Sequence, residues 1–294
     1  MQKIIPHLWF DTQAMEAARL YVSTFPDSKI LNTITLQNTP SGTTEHVTFE
    51  LSGHEFQAIS AGPLFKINPT ISFHVKCKTA DEVDDIWEKL SQGGQVLMEL
   101  GTYPFSERYG WLQDEFGLSW QIDYIGDAEI KQVITPVIMF VGDVCGKAEE
   151  AINFWSTTFH NASVGNITRY GVGEQPNQQG TIKHATFSLF GREFGAMDSA
   201  YEHTFAFNEA ISFIVNCDTQ EEIDDYWYQL SAVPEAESCG WLKDKFGISW
   251  QIVPRELSRL LNSGDQDKTF RVTQAFLVMK KLNLARLQAA YEGK

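Results

Sequence analysis

Apolar and polar positions along the chain fall into two alternating periods, and their order repeats. Ile4–Phe10 reads as a strand. Residues 11–25 then set Ala14, Ala17, Leu20, Tyr21 and Phe25 on one helical stripe, with Asp11 as the expected N-cap. A strand over 29–36, a polar loop over 38–44 and a hairpin over 45–60 complete a strand, helix, three-strand unit. The order recurs over 70–124. There Thr79 and Glu82 form a capping box, and Val83, Ile86, Trp87 and Leu90 share a helix face. It recurs again from a strand at 134–141 through a helix over 143–159, with Phe154 and Trp155 inward, to a hairpin over 184–198. The fourth unit opens with a strand at 210–217. Its helix lies behind Thr219 and Glu222 and carries Ile223, Tyr226, Trp227 and Leu230. Past Pro254 come an amphipathic turn (Leu257, Leu260, Leu261), a polar loop, a helix with Val272, Ala275, Phe276 and Met279, and a last turn capped by Asn283.

Residues 110–122 (GWLQDEFGLSWQI) return as residues 240–252 (GWLKDKFGISWQI), each reading as two strands around an Asp/Gly turn. The chain is therefore a duplication. His46 and His184 lie 138 positions apart, Trp87 and Trp227 lie 140 apart, and Trp111 and Trp241 only 130. The second half has lost ten residues between Leu230 and Gly240. Its sixth strand is expected to be short or missing, leaving that barrel more open.

Composition narrows the partners. Of 294 residues, 43% are hydrophobic, enough for sizeable cores. Acidic side chains number 38 against 23 Lys plus Arg, a net charge of −15, which is poorly suited to nucleic acid or anionic membranes. No signal-like segment opens the sequence and no apolar run is long enough to span a bilayer, so a soluble, cytoplasmic protein is expected. Cys77, Cys145, Cys217 and Cys239 form no zinc-like spacing and read as free thiols. Cys239 alone stands where it could face a pocket.

The residues 6–11 (PHLWFD), 21–28 (YVSTFPDS), 239–244 (CGWLKD), 249–254 (SWQIVP) and 279–282 (MKKL) resemble the PhnB-like family, often labelled 3-demethylubiquinone-9 3-methyltransferase. That family belongs to the vicinal-oxygen-chelate superfamily of glyoxalase and bleomycin-resistance proteins. The resemblance implies an α+β fold of tandem glyoxalase-like half-open barrels built from paired βαβββ modules. The expected division is a first domain over 1–130, a second over 131–254 and a C-terminal helical tail over 255–294. It also implies either a monomer that mimics the family dimer or a homodimer. The residues give the methyltransferase label no support, because no Gly-rich turn opens a helix after a strand; Gly171-Val172-Gly173-Glu174 reads as a loop.

Superfamily members hold a divalent metal with His and Glu ligands from four strands. By register those positions fall on His7, Gln57, Thr70 and Gln121 in the first half, and on Val137, Gly195, Ala210 and Gln251 in the second. Neutral amides and Thr are weak ligands, so no metal or other cofactor is expected. Strand alternation sets Leu8, Phe10, Val47, Phe49, Leu51, Ile71, Phe73 and Val75 on the helix-covered face. The opposite face would then gather His7, Trp9, His46, Thr48, Glu50, Gln57, Thr70, Ser72, His74, Gln121 and Asp123 in one concavity. Its second-half counterpart carries His184 and Gln251. The leading expectation is a small-molecule site lined by His7, Trp9, His46, Gln57, His74, Gln121, His184 and Gln251, without the superfamily metal. The alternatives are lyase, isomerase or dioxygenase chemistry on a His-rich metal site in the first half, and a non-catalytic scaffold.

Overall fold

A computed structural model describes residues 2–294. The first module consists of β1 (Ile4–Phe10), α1 (Ala14–Thr24), β2 (Lys29–Thr39), β3 (Gly42–Leu51) and β4 (His54–Ser60). The second consists of β5 (Ile71–Cys77), α2 (Ala80–Ser91), β6 (Gln95–Tyr103), β7 (Ser106–Gln113) and β8 (Ser119–Tyr124). The third follows with β9 (Ile134–Phe140), α3 (Ala148–Thr158), β10 (Ser163–Arg169), β11 (Ile182–Leu189) and β12 (Arg192–Asp198). The fourth holds β13 (Ile211–Cys217), α4 (Gln220–Leu230), β14 (Trp241–Lys243) and β15 (Ser249–Pro254). The tail is α5 (Arg255–Leu261), α6 (Gln266–Leu277) and α7 (Leu284–Glu292).

The modules assort into two curled sheets and two compact units in a way that the linear repeat does not suggest. The first unit comprises residues 2–22, 27–66 and 208–294, and its seven-stranded sheet has the order β14-β15-β13-β1-β4-β3-β2. The second comprises residues 23–26 and 67–207, with an eight-stranded sheet ordered β10-β11-β12-β9-β5-β8-β7-β6. Each sheet is sewn at its middle by one antiparallel pair between halves of the chain. His7 stands opposite Ser212 where β1 meets β13, and Ser72 opposite Val137 where β5 meets β9. The expected division of the barrels at residue 130 is therefore not the division in space. The short link from β8 to β9 keeps the middle modules together, as consecutive elements usually are. The terminal modules then pair with each other, so neither β1 nor β13 is left as an open edge.

The apolar periodicity holds well. Leu8, Phe10, Val47, Phe49, Leu51, Ile71, Phe73 and Val75 are all buried. Two local expectations change. Asp11 does not cap α1; the Ser60 hydroxyl at the end of β4 accepts from the Ala14 N–H at 3.1 Å. Asp198, ending β12, does the equivalent for α3, accepting from Gly146 and Ala148 at 2.7 and 3.2 Å. The polar loop over 38–44 is mostly hairpin, with β2 running on to Thr39.

The deletion in the fourth module replaces a sixth strand with a single 3-10 turn at Pro234–Ala236. The tail occupies the space. The Cys239 and Gly240 N–H groups donate to the carbonyls of Met279 and Lys280 at 2.7 and 2.8 Å. Gly240 adopts φ +89°, and a Cβ there would meet Leu282 at 3.1 Å. At the opposite edge of the same sheet, Gln274 on α6 donates to the carbonyls of Gln37 and Asn38. The tail thus reaches from β14 to β2, the two edge strands, and its own core is Leu257, Leu260, Val272, Met279, Leu282 and Leu287. The more open barrel expected from the deletion is instead a roofed one.

Candidate functional site

The duplicated motif builds a buried post. The Asp114 carboxylate accepts from the Phe116 and Leu118 N–H groups at 2.9 and 3.0 Å, and from the Trp120 indole at 2.9 Å. Asp244 repeats the set with Phe246, Ile248 and Trp250 at 2.9, 3.0 and 2.9 Å. Gly117 and Gly247, at φ +86° and +92°, close the turns in the left-handed region that glycine adopts at no steric cost. Trp120 and Trp250 are fully buried on the helix side of their sheets. Alternation then sends Gln121 and Gln251 to the opposite, concave faces.

On the concave face of the first unit, β1 contributes His7 and Trp9, β3 contributes His46 and Thr48, and β4 contributes Gln57. β13 adds Asn216, β14 adds Trp241, and β15 adds Gln251. With Cys239, α5 and Phe276 of α6 they line a partly open cavity of about 180 Å³. No Asp, Glu, Lys or Arg lines it. His7 is 3% exposed, and its Nδ1 is buried without a hydrogen-bond partner. Its ring lies 5.9 Å from that of His46 and edge-on to Trp241 at 5.4 Å. Trp9 also meets Trp241 edge-on, at 6.3 Å, while its indole N–H donates to the Gly62 carbonyl at 2.8 Å. Burial holds the His7 imidazole well below its ordinary pKa, and the neighbouring His46 adds to the effect. Burial likewise lowers His46 to about 4, against a hydrogen bond to Gln57 that favours the charged form. Both rings are therefore neutral at pH 7. Burial raises the thiol of Cys239, which makes it a weak nucleophile.

The second unit gathers a different set. His74 on β5 lies 2.9 Å from Asp123 on β8, and Gln121 on β8 accepts from the Tyr109 hydroxyl at 2.8 Å. His184 on β11 is also lowered, by burial first and then by His74 and Lys76. The single concavity holding His7, His46 and His74 is thus corrected. The cross-pairing of modules sends His7, Trp9, His46, Gln57 and Gln251 to one sheet, and His74, Gln121 and His184 to the other. Glu50 pairs with Lys29 at 3.4 Å and does not line the cavity. Glu55 and Glu193, beside the hairpin turns, are half-buried. Glu55 accepts from Gln57 at 3.3 Å and Glu193 pairs with Lys76 at 2.7 Å.

The four superfamily metal positions reassort in the same way. The first unit brings together His7, Gln57 and Gln251 with Ala210, and the second brings Gln121 and Thr70 with Val137 and Gly195. Where an acidic ligand would stand, each glutamine amide donates to a serine hydroxyl on the neighbouring strand. Gln121 bonds Ser72 at 2.8 Å and Gln251 bonds Ser212 at 3.0 Å. The Thr70 hydroxyl is bonded to Asn68 at 2.7 Å. Among the described residues no group of three or more His, Cys, Asp or Glu is placed to hold a metal ion. A set of one imidazole and amides already engaged does not fit a divalent cation.

The sequence profile described as 3-demethylubiquinone-9 3-methyltransferase matches residues 2–123 and 132–253. The chain belongs to this family. Among solved structures, a putative 3-demethylubiquinone-9 3-methyltransferase, PhnB protein, from Bacillus cereus is 41% identical over 42% of this chain and 99% of its own, with a TM-score of 0.40. Glyoxalase I from Zea mays is 13% identical over 88% of this chain and 96% of its own, at TM-score 0.53, and shares the fold. A putative dioxygenase from Bacillus subtilis is 10% identical over 84% and 83%, at TM-score 0.50. A search of curated proteins returned no significant match. The PhnB-like protein therefore has the vicinal-oxygen-chelate fold. No helix among its described residues is long and apolar enough to cross a membrane.

Of the residues expected at a site, His7, Trp9, His46, Gln57 and Gln251 line this one cavity together with Cys239. Trp241, Asn216 and Phe276 line it as well and are not among the expected residues. Their presence depends on pairing β1 with β13 and on the course of the tail, neither of which leaves a local period. The sequence carries no signal for Trp241, since both copies of the motif keep the same Trp and Ser. The two copies of the motif differ in how their first tryptophan is used. Trp111 donates to the Ser119 hydroxyl at 2.7 Å, whereas Trp241 lies against His7 and Trp9 and the equivalent Ser249 hydroxyl is buried without a partner.

Proposed function

We propose that the PhnB-like protein binds a small uncharged molecule in the roofed cavity of its first unit, without a metal. The observation that carries this is a concave, aromatic-walled space of about 180 Å³ with no Asp, Glu, Lys or Arg in its lining. Small-molecule sites are concave and mostly apolar with a few polar groups, and His46, Gln57 and Asn216 supply those groups here. Lewis-acid chemistry of the glyoxalase type is not supported, because the donor set lacks a carboxylate. Methyl transfer is not supported either. The only Gly-x-Gly run, at 171–173, lies in a turn and opens no helix. Four free thiols and a net charge of −15 fit a cytoplasmic protein that avoids nucleic acid and anionic membranes. A monomer in which four modules replace the family dimer suits sheets already completed within one chain.

The reading is tested by a thermal-shift screen of small metabolites and divalent metals on the wild type and on Thr48→Phe, which fills the cavity. A ligand at 100 times its Kd should add about 2.7 kcal/mol of stability to the wild type and nothing to the variant. Stabilisation by metals alone, or by ligands equally in both proteins, would contradict it.

A further inference from the structure

A second, open groove of about 410 Å³ runs along the outer edge of the same sheet, between β2 and α6. Ile34, Leu261 and Asn262 line both spaces and form the wall between them. The tail touches β2 at the two ends of the groove. Asn32 donates to Asn262 at 2.6 Å at one end, and Gln274 donates to the carbonyls of Gln37 and Asn38 at the other. Strand alternation turns Thr33, Thr35 and Gln37 the same way, and helical spacing does the same for Gln266 and Phe270. Among the described residues no protein group bonds to the side chains of Thr33, Thr35, Gln37 or Gln266. Every polar side chain of the lining except Asp265 is a hydroxyl or an amide, groups that both donate and accept. One Asp265 oxygen accepts from the Lys268 N–H at 3.1 Å as the cap of α6. The Lys268 ammonium lies 3.7 Å from the other oxygen, so the charge of Asp265 is already met; that ammonium sits over the Tyr291 ring at 4.8 Å and does not line the groove. No Lys or Arg does, so an anion finds no donor fork or counter-charge there. A single carboxylate is too few for a divalent cation. Phe270 lines the groove and is still 41% exposed, which leaves an apolar ring for a ligand to cover.

We propose that this groove binds a neutral, polyhydroxylated ring, a sugar or a cyclitol, independently of the first cavity. Its volume lies within the range of about 300–1,000 Å³ usual for small-molecule sites. The hydroxyls pair with Thr33, Thr35 and Gln37 on the strand and with Gln266 on the helix, each of which accepts a hydroxyl in either sense. Asp265 accepts from one of them in a charge-assisted bond, and the C–H face of the ring covers Phe270. An analogue with a single hydroxyl takes water from the same side chains and returns fewer bonds, so it binds more weakly.

Titration of the ¹⁵N-labelled full chain at pH 7 with glucose, maltose and myo-inositol, followed by amide chemical shifts, tests this. At least one of the three should give saturable shifts confined to residues 32–38 and 261–274. Glucose 6-phosphate and cyclohexanol should each bind at least about tenfold more weakly than the best of them. Asp265→Asn, which keeps a capping side chain, and Phe270→Ala, at an exposed position, should each raise the Kd of that best binder at least about fivefold. Thr48→Phe fills the first cavity and should leave this Kd unchanged, so the groove and the cavity stand or fall separately. No saturable shift with any of the three neutral compounds, or shifts centred on other strands, would overturn the site. Glucose 6-phosphate or cyclohexanol binding as tightly as the best of the three would overturn the ligand class.

Discussion

Two aspartates and two histidines account for most of the chemistry specific to single residues. Asp114 and Asp244 each satisfy two backbone N–H groups and an indole inside the fold. Removing either carboxylate leaves three buried donors unpaired, so Asp244→Ala should cost at least about 3 kcal/mol, read as a lowered urea midpoint. A loss below about 1 kcal/mol would show that the post is not structural. The histidines make stability depend on pH. His46 is held at about 4 and His7 well below its ordinary value, while both titrate near 6.5 once unfolded. Between those values the unfolded chain binds more protons than the native one. Stability should therefore fall as pH drops from about 6.5 to 4, by up to about 1.4 kcal/mol per pH unit for each imidazole. His46→Phe should flatten that slope in a series of denaturation midpoints; an unaltered slope would contradict a buried neutral ring. At this scale the sequence was informative about which residues face inward. It could not show that Gln121 and Gln251 are tied to serines, because that bond crosses between strands 49 and 39 residues apart.

At the scale of elements, the helices and strands were legible from periodicity, and the Thr79–Glu82 capping box formed as spaced. What periodicity could not show was where a cap comes from another strand, as Ser60 and Asp198 do. The tail is the larger case. Its helices were readable, but not their place, since docking on Cys239 and Gly240 uses backbone groups that carry no sequence signature. Leu282 is fully buried against Gly240 and the tail core. Leu282→Ala should cost about 2–4 kcal/mol locally. Hydrogen exchange should then quicken through residues 266–292 while β1 and β13 keep their protection. Uniform quickening across both sheets would mean that the tail is no separate cover.

For the whole molecule, the repeat in sequence and the units in space are different divisions of one chain. A family profile falls on residues 2–123 and 132–253, yet each sheet takes strands from both. The duplication was plain from two copies of one motif. The choice of partners was not, because each module offers an equivalent edge and local pattern is the same for every pairing. That choice decides the site. It gives one cavity two neutral histidines, a displaced tryptophan and a roof, and it leaves His74 and His184 to the other sheet. Sedimentation should accordingly give the mass of one chain at micromolar concentration. A dimer mass would contradict sheets completed within a single chain.

The central claim is that this cavity is an uncharged, metal-independent binding site. The most direct test is a titration with the most stabilising compound of the thermal-shift screen, followed by tryptophan fluorescence since Trp9 and Trp241 line the space, run with chelator and again with added zinc. The account predicts a saturable change with the same Kd under both conditions. Binding that disappears with chelator, or appears only with zinc, would contradict it.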